Sequence, residues 1–129
     1  VNVVEFAVIL HLEGKPVPYV RMTQRGKYVR PRAKRYLASK AFLAYQMKQG
    51  MGSAPPLGRQ PLQVDLLFGY VGGADHRRDI DNEVKAILDA GNNIVWEDDR
   101  WIDQLTAVRK HADRDEVTVI VRYLEDSDG

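Results

Sequence analysis

Val4, Phe6, Val8, Leu10 and Leu12 recur at every second position with smaller or polar residues between them. That alternation is the signature of a strand with one face in a core, and Gly14 closes it. Leu62, Val64, Leu66, Phe68 and Tyr70 repeat the pattern, predicting a second strand that runs out at Gly72 and Gly73. Near the end, 104–110 and 116–124 flank the polar stretch 111–115 and read as a terminal hairpin, with Val117, Val119, Val121 and Tyr123 alternating in its second arm.

Two stretches change period. Pro31 stands just ahead of 33–49, where Leu37, Ala41, Ala44 and Lys48 share one stripe and Gly50 follows, so a first helix is expected with proline near its start. Ile80, Val84, Ile87 and Leu88 fall at i, i+4, i+7 and i+8, with Asp79 in N-cap position and Gly91 where a helix stop belongs; this predicts a second helix over 80–90. Between these elements, Lys15 to Arg32 carries Pro16, Pro18, Gly26 and Pro31 and reads as an irregular basic arm, with a possible hairpin around 25–27. The Gly-, Pro- and Ser-rich stretch 50–61 reads as a mobile loop. The element order is then β-α-β-α-β-β. It implies an α+β fold, a single mixed sheet with two helices packed mainly on one face.

Length fixes the scale: 129 residues make one ordinary domain over 1–129. No apolar run is long enough for a membrane span, and the N-terminal strand carries Glu5 instead of a basic leader, so a cytoplasmic protein is expected. With no cysteine in the chain, disulfides, thiolate metal sites and cysteine nucleophiles are excluded, and any metal must sit on oxygen or histidine. His11, His76 and His111 are scattered and read as surface or hydrogen-bond-satisfied residues rather than ligands. The net charge of +1 conceals a division. From Gly14 to Val64 there are eleven Lys and Arg and no Asp or Glu, whereas sixteen of the eighteen carboxylates lie at Asp65 or later. A basic half interleaved with Tyr19, Tyr28 and Tyr36 suits a polyanion, by counterion release and by stacking on unpaired bases. A plain solvated face is the bland alternative. Arg21, Arg25, Lys27, Arg30 and Arg32 in the arm, and Arg77 and Arg78 before the second helix, are the expected nucleic-acid contacts.

The acidic half carries the candidate chemistry. Arg77-Arg78-Asp79-Ile80-Asp81-Asn82 is followed by Lys85 and by Trp96-Glu97-Asp98-Asp99. Residues two apart point about 200° from each other on a continuous helix, so Asp79 and Asp81 could not share an ion from mid-helix. With Asp79 at an extended N-cap and Asp81 in the first turn, both carboxylates can lean toward the helix start, where free N–H groups also favour a phosphodiester. Asp98 and Asp99, arriving on a separate loop, would complete an oxygen-rich site suited to magnesium. Lys85, four residues after Asp81, could reach the scissile phosphate. Each feature has a plainer reading: Asp79 as a cap, Asp81 with Lys85 as a surface ion pair, Asp98-Asp99 as a polar turn, and Trp96 and Trp101 as core anchors in preference to base-stacking platforms.

Taken together, Asp79-Ile80-Asp81-Asn82, Lys85, Asp89 and Trp96-Glu97-Asp98-Asp99, with Ile102 and Lys110 beyond, resemble the RusA Holliday-junction resolvases. Gly14-Lys15-Pro16-Val17-Pro18, Arg21, Tyr28 and Pro31 resemble that family's leading segment. Trp101 and Gly91-Asn92-Asn93 depart from its usual residues without removing a ligand. The resemblance implies a homodimeric, Mg2+-dependent endonuclease of bacterial, phage or prophage origin that nicks opposing strands of four-way DNA junctions. It implies Asp79, Asp81 and Asp99 as metal-binding acids, Asp98 as an accompanying acid and Lys85 as the essential lysine. Two other readings compete: a branched-DNA-binding module without catalysis, and a metal-dependent nuclease for another branched DNA or RNA.

Overall fold

The computed structural model describes residues 3–17, 31–72 and 79–124. The elements in chain order are β1 (Val3–Glu13), α1 (Pro31–Met51), β2 (Leu62–Tyr70), α2 (Ile80–Gly91), a single 3-10 turn (Asp99–Trp101), β3 (Ile102–His111) and β4 (Glu116–Leu124). This is the expected β-α-β-α-β-β order. All four strands join one mixed sheet in the order β1-β4-β2-β3.

β2 and β4 hold the centre because they are the most apolar. Val64, Leu66 and Phe68 of β2 lie opposite Val121, Val119 and Val117 of β4, and all six are 0% exposed. β1 pairs antiparallel to β4 on the far side, where Leu10 and Leu12 stand opposite Val119 and Val117. β3 is largely exposed and takes the other edge, parallel to β2. Parallel neighbours need a crossover, which α2 supplies.

The terminal hairpin expected from the sequence is therefore not formed. β3 and β4 are consecutive, yet β2 lies between them. The observed order gives the two most apolar strands, β2 and β4, neighbours on both sides. The connection after β3 steps over the end of β2: Ala112 N donates to Tyr70 O at 3.0 Å, and Val71 N donates to the Asp115 carboxylate at 3.1 Å. Gly69 makes this passage possible, since a Cβ there would come within 2.8 Å of the Ala112 side chain.

α1 covers the sheet with Ala33, Tyr36, Leu43, Met47 and Met51, which differs from the stripe read from the sequence. Leu37 and Ala44 are only half-buried, and Ala41 and Lys48 are exposed. The helix is apolar around much of its circumference, so periodicity alone does not select which face meets the sheet. It also runs one residue past Gly50 before the chain turns at Gly52 (φ +60°). The following loop is fixed at its middle, where Leu57 N donates to Val95 O (2.8 Å) and Glu97 N to Leu57 O (2.7 Å).

α2 has the clearer amphipathic pattern and buries Val84, Ala86, Ile87, Ala90 and Gly91. Gly91 serves as packing space more than as a stop: it is still helical, and a Cβ on it would meet the Trp96 ring at 2.5 Å. The actual turn is made by Asn92, which is extended, and Asn93 (φ +67°). Trp96 is fully buried and donates from Nε1 to Leu88 O at 3.2 Å, the core-anchor role; Trp101 is partly buried against the same core. No described helix is long and apolar enough to cross a membrane.

Candidate active site

α2 carries most of the candidate residues, and its geometry decides what they can do. Asp79 occupies the N-cap with extended angles (φ −75°, ψ 124°), as expected, but its carboxylate makes no capping hydrogen bond. The first-turn amides of Asn82 and Glu83 bond the Asp79 carbonyl oxygen instead, at 3.2 and 3.4 Å. Asp79 and Asp81 are both exposed. Among the described residues Asp81 and Lys85 form no ion pair, so neither the cap nor the surface-pair role absorbs these acids.

Asp81, Lys85 and Asp89 follow at i, i+4 and i+8 and make one ridge along the side of α2 turned away from its buried face. Lys85, Leu88, Asp89 and Asp99 line an open cleft beside that ridge. Asp99 reaches it from the 3-10 turn, which Asp98 caps by accepting from Arg100 N at 2.9 Å. Asn92, just past α2, fixes the other side of the turn: its side-chain oxygen accepts from Asp99 N at 3.1 Å. Short-range bonds thus tie Asp99 to the C-terminal half of α2.

Partial desolvation and the crowding of like charge raise the carboxyl of the exposed Asp99 above its ordinary value. Desolvation is the largest cause, followed by the Asp98 charge and a hydrogen bond with Asp98, with Asp89 adding to the effect and Asn92 opposing it. A bound cation would relieve that crowding.

The structure brings together Lys85 and Asp99, with Asp98 adjacent. Asp79 and Asp81 stand at the start of the same helix, and Asp81 precedes Asp89 by eight residues, about 12 Å of helix rise. Among the described residues, no group of three or more His, Asp or Glu side chains is arranged to hold a metal ion. The donor chemistry fits magnesium: every candidate is a hard carboxylate, Asp79 and Asp81 are exposed, and Asp99 is electrostatically crowded.

Of the expected DNA contacts, Arg32 lies exposed in the first turn of α1. Arg21, Arg25, Lys27, Arg30, Arg77 and Arg78 fall outside the described residues, as do Tyr19 and Tyr28. Tyr36 is not available for stacking, because it is 1% exposed and donates its hydroxyl to Asp89 Oδ2 at 2.5 Å. Lys40 reaches the same oxygen at 3.1 Å. These two α1 side chains hold Asp89 at the wall of the cleft and tie the helices together.

Sequence reasoning also missed Glu83. It sits between the candidate acids and Lys85, is 0% exposed, accepts from the Tyr70 hydroxyl and pairs with Arg109 at 3.2 Å. Tyr70 ends β2 and Arg109 lies near the end of β3, so this cluster clamps the first turn of α2 to both strands of the crossover. The one available signal was a glutamate on the helix face shared with Ile80, Val84 and Ile87.

Residues 13–122 match the family model described as Endodeoxyribonuclease RusA. No curated protein matches the chain.

Proposed function

Because that match spans most of its length, the chain belongs to the RusA endodeoxyribonuclease family, and on that premise we propose that it resolves four-way DNA junctions by Mg2+-dependent nicking of opposing strands as a homodimer. The observation that carries this reading is the cleft where Lys85 and Asp99 meet, at the side of a helix whose N-terminal turn presents Asp79 and Asp81 with no cap or ion pair among the described residues occupying their carboxylates.

Asp79, Asp81 and Asp99 would hold the ion, with Asp98 accompanying them. When bound, magnesium lowers the pKa of water and offsets charge on the phosphoryl group. The chain's own residues supply the rest. Lys85 presents an ammonium to the cleft and favours a phosphodiester oxygen beside Asp99, stabilising negative charge as it grows. The free N–H groups at the start of α2 favour the same anion. Asn92 and Asp98 hold the turn that aims Asp99. Glu83 fixes the rotation of α2, and with it the direction in which Asp81 and Lys85 project. A two-fold dimer would offer two such sites to two equivalent strands of a two-fold junction, which one subunit cannot do at once.

Because no metal-holding group of acids is arranged among the described residues, a second reading keeps a place: a branched-DNA-binding protein without catalysis. Incubating a mobile four-way junction with the protein in magnesium or in chelator separates the two. Resolution requires paired, symmetric nicks in magnesium only, lost in Asp81→Asn while junction binding persists. Binding with no nicks in any divalent ion leaves the non-catalytic reading, and equal cutting of linear duplex would reject junction resolution in favour of a general nuclease.

A further inference from the structure

The solvent face of α1 is built unlike an ordinary surface helix. The helix holds five basic residues, Arg32, Lys34, Arg35, Lys40 and Lys48, all but the half-buried Lys40 exposed, and no Asp or Glu. Arg32, Lys34 and Arg35 crowd the N-terminal end, where the helix dipole favours negative charge, and no acidic residue stands in the first turn to balance them. Arg35, Ala38, Phe42, Tyr45 and Gln49 follow one another at spacings of three and four, forming a continuous exposed stripe opposite the buried face. Lys34, Ala41 and Lys48 flank it one seven-residue step apart. On this stripe Phe42 is 51% and Tyr45 61% exposed. Two exposed aromatic side chains framed by cations, on a helix with no Asp or Glu, break the rules for a solvated face in both charge and polarity.

We propose that this face of α1 contacts the branched DNA, with Lys34, Arg35 and Lys48 on phosphates and Phe42 and Tyr45 stacked on bases unpaired or splayed at the branch. The inference rests on the endonuclease reading of the cleft and names the surface that would bring substrate to it. The physical complementarity is twofold. A polyanion offsets the unfavourable charge at the start of the helix and releases its counterions there. Aromatic side chains accept any base face but need that face uncovered, which a fully stacked duplex does not offer and a branch point does. The same helix reaches the cleft from its opposite side, where Tyr36 and Lys40 bond Asp89 at the cleft wall.

The test uses the full chain in chelator, with a four-way junction carrying 2-aminopurine at the branch and a linear duplex of equal length. Phe42→Ala and Tyr45→Ala are surface changes, checked for fold by circular dichroism. Each should weaken junction binding about 5- to 150-fold, leave duplex binding within about two-fold, and abolish the 2-aminopurine signal change. Lys34→Gln, Arg35→Gln and Lys48→Gln should weaken both DNAs and lower the slope of log affinity against log salt by about one per lost phosphate contact. Unchanged junction affinity and 2-aminopurine signal in the Phe42→Ala, Tyr45→Ala double variant would overturn the proposal. So would a sedimentation shift from dimer to monomer in that variant with per-dimer affinity retained, which would assign the stripe to a second copy of the chain. If wild type cuts junctions and only the variants' binding is unaffected, the surface falls and the nuclease stands. Binding that depends on the stripe without any nicking in magnesium reverses that outcome.

Discussion

Replacing Glu83 by glutamine tests the idea that one buried carboxylate sets the position of α2. Glu83 is fully buried and its partner Arg109 has a side chain only 15% exposed, so neither charge is well screened by water. Removing one member of such a pair costs about 3–5 kcal/mol, because the other is left uncompensated. Two features reduce that here: glutamine keeps an acceptor for the Tyr70 hydroxyl, and Arg109 has further partners and some access to solvent. The expected loss is about 2–3 kcal/mol, or a fall in Tm of roughly 6–12 °C for a domain of this size. Urea unfolding monitored by tryptophan fluorescence gives the value directly, provided the slope against denaturant is unchanged. The pairing also makes a sharper statement. Glu83→Met combined with Arg109→Met should be more stable than either single change, since the double variant buries no lone charge. A loss below about 0.5 kcal/mol in Glu83→Gln, or strict additivity in the double variant, would refute the clamp. Its functional corollary is that junction nicking falls further than junction binding, because Asp79 and Asp81 share the clamped turn.

Asp99 offers a test of opposite sign. Its carboxyl is held above the ordinary 3.8, so the folded chain binds more protons than the unfolded one between that value and the raised one. Stability from this group is therefore present at low pH and lost as pH rises through that window. Metal-free Asp99→Asn should be at least as stable as wild type at neutral pH by thermal unfolding. Added Mg2+ should raise the Tm of wild type but not of Asp99→Asn, and equal shifts in both would remove Asp99 from the ligand set. Tyr36→Phe removes a charge-assisted bond between the helices while Lys40 keeps its hold on Asp89. It should cost about 1–2 kcal/mol in chemical denaturation, and no loss would show that the Tyr36–Asp89 bond contributes little.

The sequence by itself determined the elements and their order, because each rests on contacts within a few residues. Alternation in Leu62 to Tyr70 and in Glu116 to Leu124 marks strands in any setting, and the Ile80, Val84, Ile87 stripe marks a helix with Asp79 at its start. The motif around Asp79, Asp81, Lys85 and Asp99 was legible for the same reason, as was the family it resembles. Strand neighbours were another matter. That β2 separates β3 from β4 rests on its pairing with both of them across long stretches of chain, which no local window contains. The face of α1 that meets the sheet was hidden by apolar residues spread around the helix, and tertiary packing chose Tyr36, Leu43 and Met47 over Leu37 and Ala41. Long-range pairing also decided the polar partners of the site. Glu83 finds Arg109 twenty-six residues away and Asp89 finds Tyr36 fifty-three residues away, and only the folded chain converts those separations into hydrogen bonds. The resemblance implied one chemistry for Asp79, Asp81 and Asp99, but the rigid rise of α2 between its first turn and Asp89 governs how far apart its two ends stand.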